Sequence, residues 1–346
     1  MKNAVKYFLK CSIAGVVSIA LLCLFSLIYY NPPIATEQPD NITNYKFISN
    51  SNWSYMLEGF GFGKTDNLGY NNAYYNDCVA PDIVLVGSSH MEALQVPQDA
   101  NCTYLLNKMF DEDDVDYNNF KCVNLGISAH SFEVSISNFK NIANKFDKSK
   151  YIIIETSNVE FTSDVLDDIM AGKFHSPIEK KGFIAESAQK IPFIRLMYKK
   201  WNESVINKKS QSTVAGSENQ SQNDENDINV YVDKMNAILG EIYAISEEKG
   251  IEPVILLHER FWEDRDGNIT TEMNANYKQA FIKCCEDNGV KVIDVAPEII
   301  KAYNENFEYS YGFANSTPGE GHLNKTGHRI IAQTIYNKIN EMENAK

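Results

Sequence analysis

The chain has 346 residues, of which 44% are hydrophobic and 23% charged, the balance of an ordinary globular protein with one large domain or two small ones. That balance excludes a largely disordered chain. A formal net charge of -14, without clustered Lys and Arg, argues against a nucleic-acid partner and against broad adhesion to anionic lipid.

Lys2, Lys6 and Lys10 precede Cys11 to Tyr30, a stretch without a single charge. A bilayer span needs about 20 apolar residues, and the lysines on one side place the N-terminus in the cytoplasm. The expectation is a cytoplasmic stub and transmembrane signal anchor over 1–33, a single pass that leaves the rest of the chain extracytoplasmic. A cleaved signal peptide is the alternative, but the stretch is long and ends in Tyr29-Tyr30-Asn31-Pro32-Pro33 without a small-x-small cleavage site. Cys23 lacks the preceding small residue of a lipoprotein signal.

Residues 34–80 are aromatic, Asn-rich and irregular, and read as a juxtamembrane segment folding back on the main domain. The string Gly59-Phe60-Gly61-Phe62-Gly63-Lys64-Thr65 fails as a phosphate loop, because Glu58 stands where the first glycine belongs and no strand precedes it.

From residue 81 the pattern becomes regular, with short apolar runs at 82–86, 121–125, 151–154, 253–257 and 290–295. Between several of them lie helical stripes such as Val232, Met235, Leu239, Ile242 and Ile245. Strands alternating with helices predict an α/β fold, a doubly wound parallel sheet covered on both faces, with ligands at the carboxyl ends of the strands. Residues 203–228 are nearly free of large apolar groups and read as a disordered insertion within the 81–346 domain. Before it, 159–201 forms an excursion ending in Ile191-Pro192-Phe193-Ile194-Arg195-Leu196-Met197-Tyr198-Lys199-Lys200-Trp201, a helix that either packs on its own domain or touches a membrane surface.

Seven cysteines include Cys11 and Cys23 in the apolar stretch; the others, Cys78, Cys102, Cys122, Cys284 and Cys285, show no metal-ligand spacing. One or two disulfides would be compatible with an oxidising compartment but are not required by a core of this size. No metal or other cofactor is implied.

The strand ends carry chemistry. The first, Ile83-Val84-Leu85-Val86-Gly87-Ser88-Ser89, delivers Ser89 on a turn that Gly87 permits. The second delivers Gly126 in Asn124-Leu125-Gly126, and the third delivers Asn158 in Glu155-Thr156-Ser157-Asn158. Near the C-terminus comes Gly319-Glu320-Gly321-His322-Leu323-Asn324, followed by an amphipathic helix. These residue types suit acyl transfer: an imidazole takes the serine proton, the oxygen attacks an ester carbonyl, and backbone N–H groups with an asparagine amide stabilise the developing oxyanion.

On these four blocks the sequence resembles the SGNH hydrolase superfamily over roughly residues 80–340. The resemblance implies a flavodoxin-like α/β/α fold, Ser89 as nucleophile, His322 as base, and Gly126 and Asn158 as oxyanion donors beside the Ser89 backbone. Ser88 replaces the Asp of the usual Gly-Asp-Ser, which looks more like the membrane-anchored branch of cell-envelope acyltransferases. The usual Asp three residues before the histidine is Gly319 here. Glu320 and Asp294 are then candidates for the orienting acid, with a Ser-His dyad as a third arrangement. His90 and His328 are weaker candidates, and His130, His175 and His258 read as structural or surface residues. Glu259 and Arg260 follow the fourth strand, where a substrate contact is expected.

The expected function is an extracytoplasmic serine O-acyl transferase or esterase, with acetyl as the expected acyl group, acting on cell-envelope glycans. Its expected partners are an acylated or acyl-accepting polysaccharide and a multispanning membrane acyltransferase. The alternative, motivated by Gly319, is a non-catalytic envelope binding or assembly protein that keeps the fold.

Overall fold

A computed structural model of the chain describes residues 2–35, 42, 46–73, 80–112, 120–174, 190–213 and 224–345. Helix α1 (Lys2–Tyr29) contains an apolar 18-residue stretch with a mean hydropathy of 2.5 that is largely unburied by the rest of the chain. At 1.5 Å rise per residue it reaches about 42 Å, enough to cross a hydrocarbon core of about 30 Å.

The chain leaves α1 in β1 (Tyr30–Asn31), which pairs antiparallel with β2 (Asn52–Tyr55), and β2 pairs in turn with β3 (Gly61–Lys64). The segment read as irregular therefore contains a small sheet. Its strands are short and carry glycines at Gly61 and Gly63, which hid the strand pattern. Gly61 is needed there because a Cβ would lie 1.8 Å from the Leu94 carbonyl oxygen, so β3 presses directly on the main domain. The Phe60 N–H donates to Gln95 O at 3.0 Å beside it. β3 packs on the main domain through these contacts.

The main domain runs β4 (Ile83–Val86), α2 (Ser89–Glu92), α3 (Cys102–Glu112), β5 (Cys122–Asn124), α4 (Phe132–Ser137), α5 (Phe139–Lys145) and β6 (Tyr151–Thr156). It continues through α6 (Ser163–Met170), α7 (Pro192–Thr213), α8 (Asp224–Lys249) and β7 (Glu252–Leu257). The last elements are the hairpin β8 (Phe261–Glu263) and β9 (Ile269–Thr271), then α9 (Ala275–Asp287), β10 (Lys291–Asp294), α10 (Ala296–Asn306) and α11 (Lys325–Asn344). Five strands form one parallel sheet in the order β5-β4-β6-β7-β10. Counted along the chain this is the 2-1-3-4-5 order of a flavodoxin-like doubly wound sheet, whose ligand crevice lies where the order reverses, between β4 and β6. Ser89 follows β4 and Asn158 follows β6, so both stand at that crevice.

Alternation along the strands divides the core into two layers. Val84, Val86, Ile152, Ile154 and Ile255 pack beneath α4, α5, α6, α8 and α9, with Phe139, Leu166, Met235 and Phe281 filling the space. Ile83, Leu85, Ile153, Val254 and Leu256 point the other way, against Leu106 and Phe110 of α3, Ile299 of α10 and Ile331 and Ile335 of α11. Ile153 is fully buried, and its truncation to Ala should cost about 2–5 kcal/mol.

Helix α7 runs to Thr213 and α8 begins at Asp224, so part of the 203–228 stretch is helical; residues 214–223 lie outside the described residues. A low apolar content reports on burial rather than on backbone geometry, and no Pro interrupts α7 after Pro192. α7 packs along α1 and β1, where an Arg195 guanidinium nitrogen donates to Asn31 Oδ1 at 2.5 Å. Leu196 is buried while Ile191, Ile194 and Met197 are exposed. The cysteines at 11, 23, 102, 122, 284 and 285 are free; Cys78 lies outside the described residues.

Candidate active site

The Ser89 turn is built from beneath. Gly87 follows β4, and a Cβ there would lie 2.5 Å from Glu155 Oε2, so only glycine lets that carboxylate press under the turn. The Ser88 N–H donates to Glu155 Oε2 at 2.7 Å, and Ser88 Oγ accepts from the His90 N–H at 3.3 Å as the N-cap of α2. Ser89 opens α2, where a backbone N–H has no intrahelical acceptor and remains available to a ligand.

Ser89 Oγ lies 3.0 Å from His322 Nε2. On the other side of the ring, His322 Nδ1 lies 2.6 Å from Glu58 Oε2, and the His322 backbone N–H donates to Glu58 Oε1 at 2.9 Å. Glu58 thus holds both the imidazole and the loop that carries it. Burial pushes its carboxyl up, but the hydrogen bonds and charge of His322 outweigh burial and leave it below the ordinary value. With Nδ1–H directed at this carboxylate, Nε2 is the acceptor that faces the serine hydroxyl.

The Glu58 turn is itself fixed at both ends. Asn315 Oδ1 accepts from the Gly59 N–H at 2.8 Å, and its amide donates to Met56 O and Gly59 O, each at 3.1 Å. Gly321 has φ 77° and passes so close that a Cβ would lie 2.2 Å from Glu58 Oε1. The glycines flanking Glu320 therefore shape a loop that admits an acid from elsewhere in the chain.

Neither sequence candidate for the orienting acid reaches the ring. Glu320 lies on the turn with its N–H donating to Thr317 O, and among the described contacts its carboxylate makes no hydrogen bond to His322. Asp294 pairs with Lys278 Nζ at 2.8 Å and accepts the Ala296 N–H at 3.0 Å, holding the start of α10. Glu259 is turned the same way: it pairs with Lys278 at 2.5 Å and accepts the Met273 N–H at 2.9 Å, away from His322. Arg260, by contrast, lines the cavity at the site.

Gly126 does not offer a free donor, because its N–H is held by Asn124 Oδ1 at 2.7 Å. Its role is close approach: a Cβ would lie 2.4 Å from the Glu92 nitrogen and 2.5 Å from the Met91 carbonyl carbon. Asn124 completes this contact by donating from its amide to Met91 O at 2.6 Å. Asn158 lines the cavity in a local turn, with Oδ1 accepting the Glu160 N–H at 3.0 Å and Nδ2 only 3.4 Å from Glu160 O. That long internal bond leaves the amide N–H available to a bound oxygen.

A second acid–imidazole pair lies under the turn. Glu155 Oε1 is 2.7 Å from His258 Nε2, and His258 Nδ1 is 2.7 Å from the Tyr311 hydroxyl. Glu155 and His258 are buried. Burial opposes charge on Glu155, yet His258, His90 and the Ser88 N–H together bring its carboxyl down to about 2. Tyr311 bridges to Leu323, the residue after His322, so this chain ties the serine turn to the histidine loop. His90 stands between them, its ring 4.9 Å from His258 and 5.3 Å from His322, and burial beside His258 holds it well below the usual imidazole range. His258, read from sequence as structural or surface, is therefore part of the support of the site. His328 is buried and pushed down to about 3, with no hydrogen-bond partner for either ring nitrogen. His175 lies outside the described residues.

A cavity of about 440 Å³ opens over His322, lined among others by Ser157, Asn158, Glu160, Arg260 and Glu272. The arrangement can carry a proton from Ser89 to His322, hold the resulting imidazolium against Glu58, and present polar groups to an oxygen-rich ligand.

No family model matches the chain, and no curated protein matches it. Among solved structures it is similar to a lipolytic protein of the G-D-S-L family from Veillonella parvula, at 13% identity and a TM-score of 0.37, covering 74% of this chain and 96% of that one. It is also similar to the acetyl xylan esterase AlAXEase, at 10% identity and TM-score 0.41, over 74% of this chain and 99% of that one. A GDSL-like lipase from Bacteroides thetaiotaomicron has 9% identity and TM-score 0.33, over 75% and 88%.

Proposed function

We propose that the chain is a membrane-anchored serine esterase or acyltransferase that carries an acyl group on Ser89. The observation that carries this reading is the continuous line from Ser89 Oγ to His322 Nε2 at 3.0 Å and from His322 Nδ1 to Glu58 at 2.6 Å. His322 Nε2 takes the hydroxyl proton as Oγ bonds to the ester carbonyl carbon. The Ser89 N–H and the Asn158 amide face the oxyanion, and His322 returns the proton to the leaving alcohol as the ester bond breaks. Water or a sugar hydroxyl then attacks the acyl-serine by the reverse sequence, giving hydrolysis or transfer. With Glu58 supplying an acid, Gly319 no longer motivates a non-catalytic binding protein.

The polar lining of the cavity favours a small acyl group on a hydroxyl-rich molecule over a long lipid chain. Helix α1 supports a single-pass anchor that leaves this domain extracytoplasmic, where cell-envelope glycans are the hydroxyl-rich molecules within reach. A multispanning membrane acyltransferase would serve as the acyl donor in the transfer reaction. The test is acetyl release from an activated ester, with and without an added oligosaccharide acceptor. Acetylated oligosaccharide as a product supports transfer, and acetate alone supports hydrolysis.

A further inference from the structure

The β8–β9 hairpin rises from the end of β7 beside the cavity, and its two faces differ. Phe261 points inward, 5% exposed, against the rings of Tyr303 and Tyr309, and Glu263 on the same face bonds to the Tyr303 hydroxyl. Strand alternation turns Arg260 and Trp262 to the opposite face. The register pairs Trp262 with Thr270, and the Glu272 N–H donates to Arg260 O at 3.0 Å, which extends the ladder so that Glu272 stands opposite Arg260. Arg260, Trp262, Thr270 and Glu272 therefore share one face. Arg260 and Glu272 at its base line the cavity over His322, while Trp262 stands one step outward and is 51% exposed.

The charge of this surface limits what it can take. The Arg260 guanidinium is already engaged by both Glu272 oxygens, with Nε 2.9 Å from Oε2. Glu160, also in the lining, adds a carboxylate, so the surface offers no unbalanced positive charge to a carboxylate or phosphate. It offers hydrogen-bond donors and acceptors in a fixed fork, and beyond them a flat indole. We infer that this hairpin face is a subsite for a neutral sugar, with Trp262 stacking on the apolar face of a pyranose ring and Arg260 and Glu272 binding hydroxyls of the neighbouring residue that enters the cavity. The inference rests on the acyl-serine reading and specifies its substrate class as a neutral glycan.

The test uses the full chain in detergent and three esters: p-nitrophenyl acetate, a partially O-acetylated cello-oligosaccharide and an O-acetylated polygalacturonate. Trp262 is exposed, so Trp262→Ala should fold, and it should raise KM for the acetylated cello-oligosaccharide roughly tenfold, equivalent to about 1.4 kcal/mol. Its kcat on that substrate and its kinetics on p-nitrophenyl acetate should stay within about twofold, and Trp262→Phe should recover most of the lost affinity. An equal effect on both neutral esters, an unchanged KM, or a lower KM for the polyuronate than for the neutral glycan would overturn the subsite. Turnover of p-nitrophenyl acetate without turnover of the oligosaccharide would overturn the subsite alone. Failure on all three esters would remove the acyl-serine reading as well.

Discussion

Glu58 Oε2 lies 2.6 Å from His322 Nδ1 although 264 positions separate the two residues. The carboxylate behind the imidazole thus comes from the turn between β2 and β3, in the short sheet that follows the apolar helix α1. Glu58→Gln preserves the shape but replaces the carboxylate that fixes the imidazole tautomer. We expect kcat on an activated ester to fall by about 10⁴, as for the acid of a serine triad. Glu320→Ala and Asp294→Ala should stay within about tenfold of the parent in the same assay. Comparable losses in all three variants would show that Glu58 is not the orienting acid.

Asn158 and Gly126 separate chemistry from packing. Asn158→Ala should lower kcat by about 10²–10³ with little change in melting temperature, because the proposed mechanism gives its amide an oxyanion contact and the residue lies in an exposed turn. Gly126→Ala forces a methyl to within 2.4 Å of the Glu92 nitrogen, so its effect should appear in thermal unfolding, as a loss of about 1–3 kcal/mol. Normal stability with lost turnover in Gly126→Ala would return that residue to the oxyanion hole.

Glu92 sets a pH dependence of stability. It is buried on α2, one oxygen has no partner, and burial raises its carboxyl from 4.5 to about 7 despite the Ser128 hydroxyl. A raised folded-state value means that the folded protein binds the proton more tightly than the unfolded chain. Its stabilising effect is complete below 4.5 and is lost as pH rises to about 7, an effect of about 3 kcal/mol. Urea unfolding of Glu92→Gln against the parent should therefore show the variant gaining stability at pH 8 relative to pH 4. A difference that does not change with pH would contradict this.

Glu155 acts in the opposite direction. Its carboxyl sits at about 2, below 4.5, so its contribution is present above pH 4.5 and is lost as the solution is acidified towards 2. Glu155→Ala leaves the Ser88 N–H and His258 Nε2 without their acceptor inside the core, and should cost about 3–5 kcal/mol in unfolding free energy. Calorimetry showing a loss below about 1 kcal/mol would mean the pair is not a structural support.

The sheet was legible because each strand is a short apolar run between helical stripes, and the Ser89 and His322 loops because they stand at element ends. Glu58 was not legible. It lies in a short turn with no spacing to the histidine, and its position speaks only against a phosphate loop in the glycines that follow it. The one clue was negative: Gly319 and Gly321 leave the histidine loop open where an acid is missing. His258 and Glu155 escaped for a related reason, since their partnership depends on β6 and β7 lying side by side. Gly126 was given a donor role, yet Asn124, two residues earlier, already holds its N–H.

In the proposed mechanism Ser89 becomes acylated with His322 as its base. Intact-mass measurement of the full chain after treatment with a fluorophosphonate should show one added phosphonyl group, located to Ser89 by peptide mapping. That adduct should be absent in Ser89→Ala and strongly slowed in His322→Ala. An unlabelled parent chain, or equal labelling of the Ser89→Ala variant, would contradict the account.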